Sequence, residues 1–295
     1  ISQTEPRNIK EALKENSWIE AMQEELSQFD KLKVWRLVDL LEKKHAIGTK
    51  WVFKCKKDDR GVVVCNKARL VVQVFRQQEG LDFTDVFAPV ARLEAIRLFL
   101  AFASKVGFKV YQLDVKSAFL YGAIEETVYV TQPPGFEDLK YPNKVYKLDK
   151  ALYGLHQAPR KWYETLSSFL ISNGFCRGQI DSTLFVKVEG GDMLLVQVYV
   201  DDIIFGSLNE KMCKKFEAMM KTRFEMSQMG ELTFFLGLQV EQRSEGIYLH
   251  QTKYVRDILK KYNISEGTAY DTPIPVNHKL NPDPSGKAVD PRTYR

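Results

Sequence analysis

Tyr199-Val200-Asp201-Asp202 stands between two apolar runs, Met193 to Val200 and Ile203 to Phe205. Both runs are β-branched and aromatic enough to be strands. Two strands this close in sequence make a hairpin, so the aspartates fall in or beside its tight turn. Side chains alternate faces along a strand, which starts Asp201 and Asp202 on opposite sides. Twist at the turn can bring one of them to a third carboxylate from elsewhere. A cluster of that kind binds divalent metal through hard oxygen ligands. Adjacent aspartates are also ordinary turn residues, so the pair needs a chemical partner before it means more.

A partner lies upstream. Phe108 to Val115 reads as a strand that carries Asp114 toward its end, on the face shared by Val110 and Gln112. An aspartate there is costly if buried alone, and a metal or a basic neighbour offsets that cost. An exposed aspartate at a strand end is the plainer alternative. Lys116 to Gly122 follows as a small-residue helical turn able to approach a ligand closely. Together the two sites supply three aspartates. Two ions held by shared carboxylates, about 3.5–4 Å apart, are the known device for in-line attack on a phosphate.

The rest of the composition is permissive. The 295 residues are 44% hydrophobic and 27% charged, which suits a folded soluble protein. A formal net charge of +5 is compatible with a polyanionic partner without requiring one. Cys55, Cys65, Cys176 and Cys213 form no metal-site spacing with His45, His156, His250 or His278. That usage points to a reducing, intracellular compartment. No apolar run reaches the length of a membrane span, and no signal peptide is evident. A start at Ile1 and a stop at Arg295 without a closing element read as a piece of a longer polypeptide.

Periodicity predicts a helix in the first thirty residues, capped by Ser17 with Trp18, Met22, Leu26 and Phe29 on one stripe. Short strands follow at Val34 to Leu37 and Thr49 to Phe53. A hairpin turns at Lys57 to Gly61, and Lys67 to Phe75 continues as strand. Helices are expected at Leu93 to Val106 (stopped by Gly107), Arg160 to Ser172, Glu210 to Phe224 (capped by Asn209) and Lys253 to Tyr262 (capped by Thr252). Further strands are expected at Val145 to Leu148, Leu184 to Val188, Phe234 to Gln242 and Ile247 to His250. Hairpins mixed with helices, and no repeating βαβ unit, argue for an α+β fold with an antiparallel sheet.

At this point a resemblance can be stated. It rests on Gly48-Thr49-Lys50-Trp51-Val52-Phe53-Lys54, Asn66 to Gln73, Phe87-Ala88-Pro89-Val90-Ala91-Arg92, Gln112 to Leu120, Ala151 to Arg160, Tyr199 to Asp202 and Phe235-Leu236-Gly237-Leu238, in that order. The chain resembles the reverse transcriptase domain of copia-type (Pseudoviridae-like) LTR retrotransposon Pol polyproteins over nearly its whole length. The resemblance implies a right-hand polymerase with an antiparallel-sheet palm, fingers and a partial thumb. Its segments would be an N-terminal helical segment (1–45), mainly fingers (46–110), mainly palm with a helical insert (111–240) and the start of a thumb (241–266). Residues 267–295 would be a linker toward an RNase H domain.

The same resemblance implies the chemistry. Asp114, Asp201 and Asp202 would be catalytic, and would hold Mg²⁺, or Mn²⁺ in its place, with backbone groups of Val115. Lys67 and Arg69 would meet the triphosphate of a dNTP, with Lys54 and Lys56 as further candidates. Ser117, Ala118, Phe119, Tyr153, Gly154 and Val200 would line the nucleotide, with Phe119 as the gate against a 2′-OH. Phe235, Leu236 and Gly237 would grip the primer. Implied partners are an RNA or DNA template with its primer and the other Pol domains, RNase H and integrase. The implied location is the cytoplasm, in virus-like particles. One departure is Val74, which stands where the family carries Gly. If that position needs φ > 0, the segment would be strained, and the chain would read instead as a decayed nucleic-acid-binding remnant. A metal-dependent nuclease using the same carboxylates is a third reading.

Overall fold

The computed structural model describes residues 1–58, 61–227, 230–262, 264 and 284–288. A short helix, α1 (Ile9–Ala12), precedes α2 (Asn16–Leu32). Trp18, Met22 and Phe29 are fully buried, so α2 forms by burying one helical stripe. It starts one residue before Ser17, which therefore lies inside the first turn and caps nothing. Burial of Trp18 rather than a side-chain cap decides where the helix begins.

After β1 (Trp35–Val38) and β2 (Ala46–Ile47), the strands β3 (Thr49–Lys57) and β4 (Val63–Val72) pair as an antiparallel ribbon. Alternation divides it into two faces. Trp51, Cys55, Ala68, Leu70 and Val72 are buried in one cluster with Trp18, Met22 and Phe29 of α2. Lys50, Val52, Lys54, Lys56 and Lys67 point outward and are exposed. Each outer edge is capped by a carboxylate from the N-terminal region. The Cys55 N–H donates to Glu5 Oε1 at 2.9 Å, and the Leu70 N–H donates to Glu25 Oε1 at 3.3 Å. The strand expected to run to Phe75 ends at Val72; the Gln73 N–H still donates to the Gly48 carbonyl at 2.9 Å, after which Val74–Arg76 form a 3-10 turn. Val74 is not among the residues with positive φ, so the strain expected of valine in a glycine position does not arise.

The remaining elements are α3 (Leu93–Val106), β5 (Val110–Asp114), a 3-10 turn (Ala118–Tyr121), β6 (Tyr129–Val130), β7 (Val145–Leu148) and α4 (Ala158–Ser172). Then come β8 (Cys176–Arg177), β9 (Leu184–Glu189), β10 (Asp192–Tyr199), β11 (Asp202–Gly206) and α5 (Glu210–Arg223). The last are β12 (Gly230–Glu231), β13 (Phe234–Phe235), β14 (Leu238–Arg243), β15 (Gly246–His250) and α6 (Thr252–Lys261). Six strands form one sheet in the order β12-β5-β11-β10-β9-β8, every neighbour antiparallel. A second sheet, β1-β7-β6-β2, includes one parallel pair, β2 with β6.

Both faces of the six-stranded sheet are covered. Leu113, Val196, Val198, Ile203 and Phe205 pack against Trp162, Leu166 and Leu170 of α4 and Phe216 and Met220 of α5. Val110, Leu195 and Ile204 pack against Ile96, Phe99 and Leu100 of α3 and against Phe235 and Val240. Burial on both faces is why Met193 to Val200 reads as a continuous apolar run rather than an alternating one.

Two further expected elements differ. The single strand Phe234 to Gln242 is broken into β13 and β14 by Leu236 (φ 49°) and Gly237 (φ 81°), a two-residue turn whose central residues both have positive φ. Thr252 is the first residue of α6, not its cap, and Gln251 precedes it. The linker expected over 267–295 falls outside the described residues except at 284–288.

Glu25 is 7% exposed, and burial pushes its carboxyl up to about 6 against an ordinary 4.5, partly countered by the Leu70 N–H. The folded chain therefore binds this proton more tightly than the unfolded chain between about pH 4.5 and 6. Stability from this group falls as pH rises through that window, by roughly 2 kcal/mol in all. Glu25→Gln keeps an acceptor for Leu70 and removes the charge. It should raise the urea-unfolding free energy at pH 7.5 by roughly 1–2 kcal/mol and leave it little changed at pH 4.5.

Candidate active site

Register brings two of the three aspartates together. Asp202, at the start of β11, lies directly opposite Asp114, at the end of β5. Opposed residues on antiparallel strands point to the same face, here the α3 side shared with Val110 and Ile204. Asp201 sits in the turn between Tyr199 and Asp202, which are themselves paired. Its carbonyl accepts the Val115 N–H at 3.2 Å, tying the turn to the end of β5.

The turn is held in an unfavourable shape. Val200 has φ 56°, and a β-branched residue there is a true outlier costing about 1–3 kcal/mol. The buried Trp162 of α4 donates its indole N–H to the Val200 carbonyl at 2.7 Å. That bond, from a ring fixed in the core, over-determines the turn and presents Asp201 and Asp202 at its tip.

Electrostatics of the three carboxylates are mutually unfavourable. Partial burial raises the pKa of Asp114, and the charge of Asp201 adds to it, while Lys67, Lys56 and Arg69 act against the rise. Partial burial also raises Asp202, followed by the charges of Asp201 and Asp114, against one hydrogen bond from Gln112 Nε2 at 3.2 Å. Like charges set together in a half-buried place are unsatisfied until a cation joins them. The donor set, carboxylates alone, suits a hard divalent ion. Among the described residues, however, no three acidic, His or Cys side chains are already gathered into a ligand cluster.

Most of the anticipated site residues surround this point. Lys67, Asp114 and Ser117 line one cleft of about 270 Å³, together with Glu25, Lys116 and Glu225. Lys67 of β4 thus lies across this cleft from Asp114, and Lys56 and Arg69 act on the same carboxyl. Arg69 lies with its guanidinium carbon 3.8 Å above the Tyr153 ring, and Tyr153 packs on Phe119 with centroids 4.8 Å apart. Gly154 (φ 97°) is required by its neighbour: a Cβ there would come within 2.4 Å of the Val72 carbonyl. The close approach expected of Gly154 is therefore made to β4.

Other residues sit apart. Ala118 is 1% exposed and faces the core, so its side chain lines nothing. Lys54 is drawn to Glu5 at 3.3 Å. Phe235 is buried on the α3 side, and reaches the turn through a ring contact with Tyr199 at 6.3 Å. Leu236 and Gly237 form the β13–β14 turn beyond it. Gln112, placed by alternation on the face of Asp114, donates to Asp202 instead. One contributor, Trp162, escaped the motif reading. Trp162 carries no local signal, since its role is a contact across 38 positions.

The mixed helix-and-sheet content fits a reverse transcriptase domain, and the sequence comparisons place the chain in that family. The chain belongs to the reverse transcriptase (RNA-dependent DNA polymerase) family, which it matches over residues 32–276. It is 36% identical over 283 residues to the retrovirus-related Pol polyprotein from transposon TNT 1-94 of Nicotiana tabacum, covering 94% of this chain and 21% of that protein. It is 36% identical over 295 residues to the corresponding polyprotein from transposon RE1 of Arabidopsis thaliana, covering 100% and 20%. The polyprotein from transposon RE2 of the same plant is 35% identical over 293 residues, covering 99% and 20%. The chain thus spans about a fifth of the length of these curated relatives. Divalent metal use is general in the family.

Trp162→Phe keeps a buried ring and deletes the donor to Val200. It should lower the urea-unfolding free energy by about 1–2 kcal/mol, the cost of one buried acceptor left unmet.

Proposed function

We propose that this chain is an RNA-directed DNA polymerase acting from the turn at Asp201. Asp114, Asp201 and Asp202 would hold Mg²⁺, or Mn²⁺ in its place, near the Val115 backbone. When bound, such ions lower the pKa of a primer 3′-OH and neutralise the pyrophosphate that leaves. The observation that carries the reading is the opposition of Asp114 and Asp202 beneath the outward basic face of the β3–β4 ribbon. Carboxylates alone would repel a triphosphate, and basic groups alone would bind one without reacting it. Their juxtaposition suits a nucleotide that brings its own phosphate oxygens.

In this reading the six-stranded sheet is the palm, the β3–β4 ribbon belongs to the fingers, and β14 to α6 begin a thumb. The segments would be 46–110, 111–240 and 241–266, with 1–45 as an N-terminal helical segment and 267–295 as a linker. Lys67 and Arg69 would orient the triphosphate, since a guanidinium fork matches phosphate oxygens. Phe119 would exclude a ribose 2′-OH by its bulk. Val200, through its strained turn, would hold the aspartates in place, and Phe235 to Gly237 would steady the primer end. A template of RNA or DNA with its primer, dNTPs and the other Pol domains would be the partners. No helix among the described residues is long and apolar enough to cross a membrane. The reading as a decayed remnant drew on truncation and on strain at Val74; Val74 is not among the residues with positive φ.

Mg²⁺-dependent incorporation of dTTP on poly(rA)/oligo(dT) tests the proposal. Activity should disappear with EDTA and return with Mg²⁺. Asp201→Asn should lower kcat by at least about a thousandfold, as expected when a charge central to transition-state stabilisation is lost. Incorporation by the wild-type chain no greater than by Asp201→Asn would refute it.

A further inference from the structure

Three segments that the polymerase reading assigns to different tasks meet on one aromatic ring. β4 carries Arg69, the turn after β5 carries Phe119, and the loop before α4 carries Tyr153. The Arg69 guanidinium carbon lies 3.8 Å above the Tyr153 ring. The Phe119 ring packs on it with centroids 4.8 Å apart and planes inclined by 46°. Backbone fixes the arrangement, because the Tyr153 carbonyl accepts the Val72 N–H at 2.8 Å, three residues along β4 from Arg69. Gly154 allows that seam to close so tightly.

We propose that Tyr153 is a positioning residue, an aromatic platform that fixes Arg69 toward the triphosphate and Phe119 toward the sugar. This rests on the polymerase reading and assigns Tyr153 a task other than direct contact with the nucleotide. Tyr153 is 7% exposed, so its ring is walled in by protein. Stacking engages the flat face of a guanidinium and leaves its in-plane N–H donors free. Arg69 has those donors uncommitted, with no hydrogen bond or ion pair among the described residues. A cation held in orientation by its face, with its edge open, is ready for phosphate oxygens without a prior ion pair to break.

The Tyr153 hydroxyl is buried and makes no hydrogen bond among the described residues. A buried hydroxyl in that condition contributes nothing favourable to folding. The ring, not the hydroxyl, holds the residue in place. The same ring connects triphosphate binding with sugar selection, since moving it would release Arg69 and Phe119 together.

The test compares ring-retaining and ring-deleting variants in steady-state incorporation of dTTP and UTP. Tyr153→Phe should keep KM for dTTP within about twofold, and Tyr153→Leu should raise it about tenfold with kcat within about threefold. Tyr153→Leu should also reduce the preference for dTTP over UTP in kcat/KM by about threefold or more. Tyr153→Met, unbranched and similar in volume, takes the place of Leu if that variant does not fold, as judged by thermal melting.

A folded Leu or Met variant with unchanged KM and unchanged sugar preference overturns the inference. So does a loss of kcat alone, which a merely structural role would give. A Tyr153→Phe variant as impaired as Leu also overturns it, in favour of a contact through the hydroxyl. Should the wild-type chain incorporate nothing, the polymerase reading falls by itself. The platform is then judged by equilibrium dialysis of dTTP with Mg²⁺, where weaker binding by Leu than by Phe supports it. Equal binding by the two, or none by any form, overturns it.

Discussion

The opposition of Asp114 and Asp202 across β5 and β11 is the constraint on which the other features depend. It sets two negative charges on one face of a sheet, and a one-residue slip would send Asp202 to the other face. The apolar surroundings forbid that slip. Ile203 and Phe205 must face α4 and α5, while Ile204 must face α3. The core thus fixes the register, and the register fixes the charges. Asp201 then needs a turn that keeps it beside them, and that turn needs Val200 in a conformation valine resists. The Trp162 indole N–H stabilises the result from the far side of the core.

Repulsion at the sheet end is answered from across the cleft. Lys56, Lys67 and Arg69 lower the cost of ionising Asp114 without touching it. They can do so because the β3–β4 ribbon buries one face completely and leaves the other to charge. Lys54 stands directly opposite Lys67 in the ribbon, a pairing unfavourable for the strands themselves. Glu5 relieves part of that repulsion through Lys54. Lys67 keeps its charge turned to the cleft.

Much of this was legible in the chain because the signals are local. The hairpin of β10 and β11 follows from two apolar runs around a polar pair. Gly107 ends α3 with φ 86°, and the Asn209 side chain accepts the Lys211 N–H at the start of α5, both as helix punctuation predicts. The failures are equally specific. Ser17 and Thr252 look like caps, yet each lies inside its helix; in α2 the buried Trp18 follows directly, while α6 buries no residue. Leu236-Gly237 hides a turn because leucine rarely takes positive φ. β4 stops at Val72, where the chain bends into the 3-10 turn Val74–Arg76. The Trp162 bond to Val200 and the stacking of Arg69 on Tyr153 join residues far apart in sequence. Nothing in either neighbourhood announces them.

The family match begins at residue 32, but the ribbon does not stand without what precedes it. Trp18, Met22 and Phe29 supply the wall for its buried face, and Glu5 and Glu25 each accept one N–H, of Cys55 and of Leu70. A chain trimmed to the family limits would bare an apolar surface and two unpaired strand N–H groups at once, the usual template for edge-to-edge aggregation. The working unit of this protein is therefore longer than the 32–276 stretch by which the family is matched, and an expression boundary is better drawn upstream of Glu5.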